Sequence, residues 1–216
     1  RPIKYSLFPP LGLATLASYF NSEDEVEIID EHVEKIKFED NPDLVVMQVY
    51  ITSAYRAKEI ASIYRKKGSH IAVGGLHITS LPNEALTYAD SIFIGPSDDS
   101  WRTFINDFRN GYPQKIYYTG KQSFAYIPEI RRDLIKRHLY LVPNSISASR
   151  GCPHNCDFCY KHSYYKGGNS YYVNELKSVF SDIDNLPGKH LFFLDDNLFA
   201  NQNFTNSLLD GLVGRN

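Results

Sequence analysis

The residues best equipped for chemistry in this sequence lie in one short run, Cys152-Pro-His-Asn-Cys156-Asp-Phe-Cys159, which holds all three cysteines of the chain. An odd number of thiols at such close spacing does not make a disulfide framework. Three thiolates on one loop are suited to hold a metal centre together. A four-iron four-sulfur cluster held by three thiolates keeps one iron without a protein ligand, open to a substrate or cofactor. Two other readings stand beside it. A zinc site needs a fourth ligand, which His154 or His162 would supply, and three unliganded thiols are the plainest alternative. A second polar group, Asp195-Asp196-Asn197, closes an apolar run. Taken alone, it would cap the helix that follows.

These residues need elements to position them. Residues 145–149 read as a strand leading into the cysteine loop. Residues 172–186 carry Val173, Leu176, Val179, Phe180 and Ile183 at helical spacing. Residues 189–194 form a second apolar strand ending in the acidic pair, and 201–212 a second helix. Strand, loop, helix, strand, carboxylates is how a (β/α) barrel begins, with functional groups at the carboxyl ends of its strands.

The first half alternates differently. Strands are expected at 26–30, 44–49, 71–73 and 91–94, with 115–119 as an edge. Helices are expected at 11–20, 51–64, 81–88 and 101–108. Such alternation predicts an α/β fold, a Rossmann-like doubly wound parallel sheet that binds ligands beyond the carboxyl ends of its strands. Those ends carry Thr52, Ser53, Gly74, Gly75 and Gly95. The glycines by themselves call only for tight turns. The expected domains are 1–120 for the sheet, 121–144 as a linker and 145–216 as the start of the second domain. The basic run Arg131 to Arg137 reads as a solvated helix face, and Gly167-Gly168 as a turn.

Composition narrows the function classes. With 43% hydrophobic and 22% charged residues the chain is globular. A net charge of −2 gives no electrostatic footprint for nucleic acid. No apolar run is long enough to span a membrane. Free thiols and an iron centre point to a reducing cytoplasm. The chain opens on Arg1 and contains only Met47, so the natural start is expected to lie upstream.

The spacing Cys-x3-Cys-x-Phe158-Cys, with Arg150-Gly151 before it and Tyr160 after it, resembles the signature of the radical S-adenosylmethionine enzymes. The resemblance implies that Cys152, Cys156 and Cys159 hold a [4Fe-4S] cluster whose remaining iron binds S-adenosylmethionine. It sets Phe158 against the adenine. It also gives Asp195 or Asp196 the methionine amino group, an acidic variant of the family's Gly-Gly-Glu. Such a charge-assisted hydrogen bond contributes ~1.5–3 kcal/mol. An electron from the cluster then cleaves the cofactor to a 5′-deoxyadenosyl radical, and a donor such as flavodoxin or ferredoxin is implied as a partner.

The first half resembles the cobalamin-binding domain that precedes such cores in the class B methylases. Phe8-Pro-Pro-Leu-Gly-Leu13, Asp30, Val73-Gly-Gly-Leu-His77 and Ile94-Gly95 carry that likeness. It implies cobalamin contacts at Thr52, Ser53, Gly74, Gly75 and Gly95, and methyl transfer to an unactivated carbon. Asp30-Glu-His32 resembles the start of the motif that gives cobalt a histidine. Lys35 stands where that motif has glycine, so His32 reads as a surface residue. Two alternatives remain: a non-catalytic cobalamin- or nucleotide-binding module with a residual cluster loop, and a zinc-stabilised interaction domain. The stretch from Cys152 to Asn216 is far shorter than the ~250 residues of a complete barrel. The core is therefore expected to be truncated, and the substrate, a small molecule or peptide, to be chosen by strands beyond it.

Overall fold

The computed structural model describes residues 5–119, 129–165 and 171–215. Packing divides the chain into two compact units: Arg1–Lys35 with Ser123–His162 and Gly168–Asn216, and Ile36–Gln122 with Ser163–Gly167. The division differs from the 1–120, 121–144 and 145–216 limits expected from sequence. The reason lies in the first helix, α1 (Leu11–Ala17). Its Ala14 and Ala17 join Ile28, Val26, Ile130, Leu134 and Ile135 in a small core. The Arg131 N–H donates to the Ala14 carbonyl at 3.2 Å, and the Tyr140 hydroxyl to Asp30 at 3.0 Å.

Two expectations change with it. Residues 26–30 form no strand, because Val26 and Ile28 spend their apolar side chains against α1 rather than on a sheet. The basic run is not a solvated helix. It makes two 3-10 turns, Arg132–Leu134 and Arg137–Leu139. Arg132 meets Asp182 in a two-pronged pair at 2.7 and 2.8 Å and also donates to the Ser145 carbonyl. Arg137 donates to the Asn144 carboxamide at 2.7 Å, and Lys136 pairs with Glu34. Fork-shaped guanidinium groups suit such bidentate contacts.

The other unit is a four-stranded parallel sheet, β1 (Leu44–Gln48), β2 (His70–Gly74), β3 (Ser91–Ile94) and β4 (Ile116–Tyr118), with neighbours in that order. Between β1 and β2 lies α2 (Ala54–Lys66). The helix expected at 81–88 opens at Pro82, where proline's missing amide costs nothing in the first turn, and a further short helix precedes it. In chain order they are α3 (Leu76–Ser80) and α4 (Pro82–Ala85). Ala57, Ile60, Ala61 and Tyr64 of α2 pack with Ile71, Val73 and Ile92. Alternate residues serve the opposite face, where Phe93 and Tyr117 stack beside Trp101 and Phe104 of α5 (Asp98–Arg109). The fold is thus a Rossmann-like parallel sheet. Its strand order runs with the sequence, however, without the reversal of a doubly wound sheet, so these four strands build no switch-point crevice.

Two predictions arise here. Gly75 has φ of +108° and a side-chain carbon there would lie 2.8 Å from the Val49 carbonyl oxygen. Gly75→Ala is expected to cost about 3 kcal/mol, read from the urea midpoint. The buried Tyr117 hydroxyl donates to Asp107 at 2.9 Å; burial, then the Asp107 carboxylate, pushes its pKa up to about 12. The unfolded chain releases this proton first. Stability contributed by the neutral phenol is full below about pH 10 and falls by roughly 2–3 kcal/mol as pH rises through the folded value. Tyr117→Phe should flatten that alkaline slope in unfolding curves taken at successive pH values.

In the first unit, β5 (Ser145–Ile146) stops short of the residue 149 expected from sequence. The chain bends at Ala148, and β6 (Ser149–Gly151) runs antiparallel to β7 (Tyr171–Val173). A one-turn helix, α6 (Lys161–Tyr164), follows the cysteine loop. After α7 (Leu176–Asp184) comes β8 (Phe192–Phe193), parallel to β5, and then α8 (Gln202–Leu212). Ile146, Ala148, Val179, Phe204 and Leu208 form the core between them. Asn201 caps α8 by accepting the Phe204 N–H at 3.0 Å. Gly167-Gly168 lies outside the described residues.

Candidate functional site

The paired strands β5 and β8 bring their carboxyl ends together. The Leu194 N–H donates to the Ile146 carbonyl at 2.8 Å, and the two chains then diverge into the cysteine loop and into Asp195-Asp196-Asn197. The Asp195 carboxylate accepts the Ala148 N–H at 3.1 Å, the Ser149 hydroxyl at 2.6 Å and the Ser149 N–H. Burial holds its carboxyl above the usual range, although the Ser149 hydroxyl and the two backbone donors pull it down. Asp196 accepts the Gly151 N–H at 3.1 Å and pairs with Lys161. The Asn197 carboxamide donates to the Cys152 sulfur at 3.6 Å. Both acidic side chains expected to face a cofactor thus have partners within the chain.

All three cysteines are free thiols. Cys152 and Cys159 are half-buried, and Cys156 is exposed. The Cys159 N–H donates to the Cys156 carbonyl at 2.9 Å, closing one turn between them. Among the described residues no three His, Cys, Asp or Glu side chains converge as a metal-binding group. The donor set fits a cluster in kind, with three cysteines outside any disulfide on one loop beyond a strand end, though the sulfurs are not gathered about one point. His154 is exposed in the same loop, and the side chain of His162 lies outside the described residues. Phe158 is 93% exposed, so its ring face is open to a flat partner.

The residues expected to meet cobalamin sit at the carboxyl ends of β1, β2 and β3. Thr52 is exposed in the 3-10 turn Ile51–Ser53. The Ser53 hydroxyl accepts the Tyr50 N–H at 3.0 Å and so closes that turn. Gly74 gives room to Phe93, and Gly75 to the Val49 backbone. The Gly95 N–H donates to the Thr79 hydroxyl at 2.9 Å, and Thr119 bonds the Ile94 carbonyl at 2.9 Å beside it. Packing within the unit accounts for all three glycines. His32 is exposed, its ring nitrogen 2.8 Å from Asp30. Sequence reasoning gave no role to Ser149 or Lys161, which flank the cysteine loop, and placed Asn197 with the acidic pair without giving it a partner.

No protein-family model matches the chain. It is 31% identical over 193 residues to bacteriochlorophyllide d C-8(2)-methyltransferase of Chlorobaculum tepidum, a match covering 85% of this chain and 42% of that protein. It is 25% identical over 223 residues to bacteriochlorophyllide d C-12(1)-methyltransferase of the same organism, covering 94% of this chain and 47% of that one. With the hopanoid C-2 methylase of Rhodopseudomonas palustris it shares 23% over 219 residues, covering 96% and 41%. These relatives are methyltransferases, and the chain spans less than half the length of each. No helix among the described residues is long and apolar enough to cross a membrane.

Proposed function

We propose that the chain is a portion of a radical S-adenosylmethionine methylase acting on a carbon atom, in which a cobalamin-binding-like sheet unit accompanies the first strands of a (β/α) core. The observation that carries this reading is the cysteine loop itself. Three free thiols stand at the carboxyl ends of paired parallel strands, in a chain whose relatives are methyltransferases. Cys152, Cys156 and Cys159 would hold a [4Fe-4S] cluster. When bound, such a cluster supplies the electron that cleaves S-adenosylmethionine.

The chain's own side chains would do the rest. The open Phe158 ring takes the adenine by stacking. Asp195 keeps its oxygens on Ala148 and Ser149 and so fixes the loop's base. Asp196, more exposed and already paired with an ammonium group on Lys161, is the carboxylate placed to exchange that partner for the methionine ammonium. Thr52 is the open polar group at the sheet end proposed for cobalamin.

Anaerobic reconstitution with iron and sulfide, followed by reduction and EPR spectroscopy, tests the reading. The expected result is about four iron per chain and a signal that changes when S-adenosylmethionine is added. Zinc without iron in the purified chain, or iron absent after reconstitution, would remove the basis for it.

A further inference from the structure

Three successive residues after β8 each end on a different part of the cysteine loop. Asp195 takes the backbone of Ala148 and Ser149, Asp196 takes Gly151 and Lys161, and Asn197 takes the sulfur of Cys152. The first two hold the loop's shoulders, and the third reaches a thiol. Among the described residues, the Cys156 and Cys159 sulfurs have no such side-chain donor, so one cysteine of the three is singled out. We infer that Asn197 is a positioning residue for Cys152, donating its carboxamide N–H to that sulfur and fixing the thiol before any metal centre is assembled.

The contact belongs to the metal-free chain. What it does after iron binds rests on the cluster reading proposed above. A donor on a ligating sulfur withdraws electron density from it, and hydrogen bonds to cluster sulfurs are among the determinants of reduction potential. Removing the donor should therefore make the cluster harder to reduce. Asn197 touches neither substrate nor cofactor in this account; it acts through Cys152.

The test uses the whole chain with Asn197→Ala, first confirmed to unfold at the parent's urea midpoint. In the metal-free, fully reduced protein, limited iodoacetamide labels the three thiols, and peptide mass spectrometry gives each rate. A sulfur that loses its N–H donor holds less of the reactive thiolate at neutral pH, so the Cys152-to-Cys156 rate ratio should fall at least about threefold below the parent's. An unchanged ratio in the folded variant overturns the inference. In the iron-loaded protein, the midpoint potential from an EPR redox titration should move negative, with the reduced-to-oxidised ratio at fixed potential falling about tenfold, equivalent to 59 mV for one electron. A potential that stays in place overturns the donor role. A parent chain that takes up no iron overturns the cluster reading instead, and the labelling ratio then decides the role of Asn197 by itself.

Discussion

Asp195→Ala is expected to lower the stability of the unit carrying the cysteine loop by about 4 kcal/mol. Ala148 and Ser149 are 0% and 1% exposed, so water cannot replace the lost acceptor. Truncation strands two backbone N–H groups and one hydroxyl, each costing roughly 1–3 kcal/mol when buried without a partner. Part of that loss is offset, because burial already makes the Asp195 charge costly. Graded variants separate the terms. Ser149→Ala removes one donor and should cost about 1 kcal/mol. Asp195→Asn keeps one acceptor oxygen but turns an NH2 group toward a donor, and should fall between the two. Urea unfolding gives the order, and hydrogen exchange at the Ala148 and Ser149 amides should accelerate in the alanine variant at position 195. Equal stability in all three variants would show that these bonds merely accompany the fold.

Single replacement of Cys152, Cys156 or Cys159 by alanine is expected to abolish cluster assembly, while His154→Ala leaves it intact. Losing an outer partner of a metal ligand commonly costs ~10–100-fold in affinity; losing the ligand itself removes a bond to iron outright. The iron content and the EPR signal of the three cysteine variants should therefore fall by more than about tenfold relative to the parent. The histidine control distinguishes chemistries. His154 shares the exposed loop, and a zinc site drawing on it would lose metal in His154→Ala as readily as in the cysteine variants. A cysteine variant that retained full iron would exclude that residue from the ligand set.

Much of the sheet unit was legible because its strands are continuous apolar runs. The run Leu44 to Val49 suits a strand of a parallel sheet, and it lies beside β2 at one end of the four-strand order, with Leu44 to Met47 half-buried. That the three cysteines share one loop was legible because they fall within eight consecutive residues. Val26 and Ile28 misled, since their alternation suits a strand equally well when the surface they meet is α1. The run from Arg131 to Arg137 misled for another reason. Its main partner, Asp182, lies 50 residues away, and a charge pattern gives no sign of a distant mate. The acidic pair was placed at the correct strand end, but adjacency in sequence does not tell which of two carboxylates turns inward. Ser149 settles that for Asp195 by supplying both a hydroxyl and an amide.

The way Asp30, Ala14 and Ile28 are fastened to residues 130–140 bears on how the chain can be dissected. A fragment begun at residue 145 would carry Asp182 without Arg132, and one begun at residue 36 would leave Ile130 and Leu134 with no α1 to cover them. Residues 130–140 thus form a clasp between α1, which comes before the sheet in sequence, and Ser145 and Asp182, which come after it. Protease cleavage between α1 and that clasp would leave the two held together noncovalently, as a nicked but associated pair.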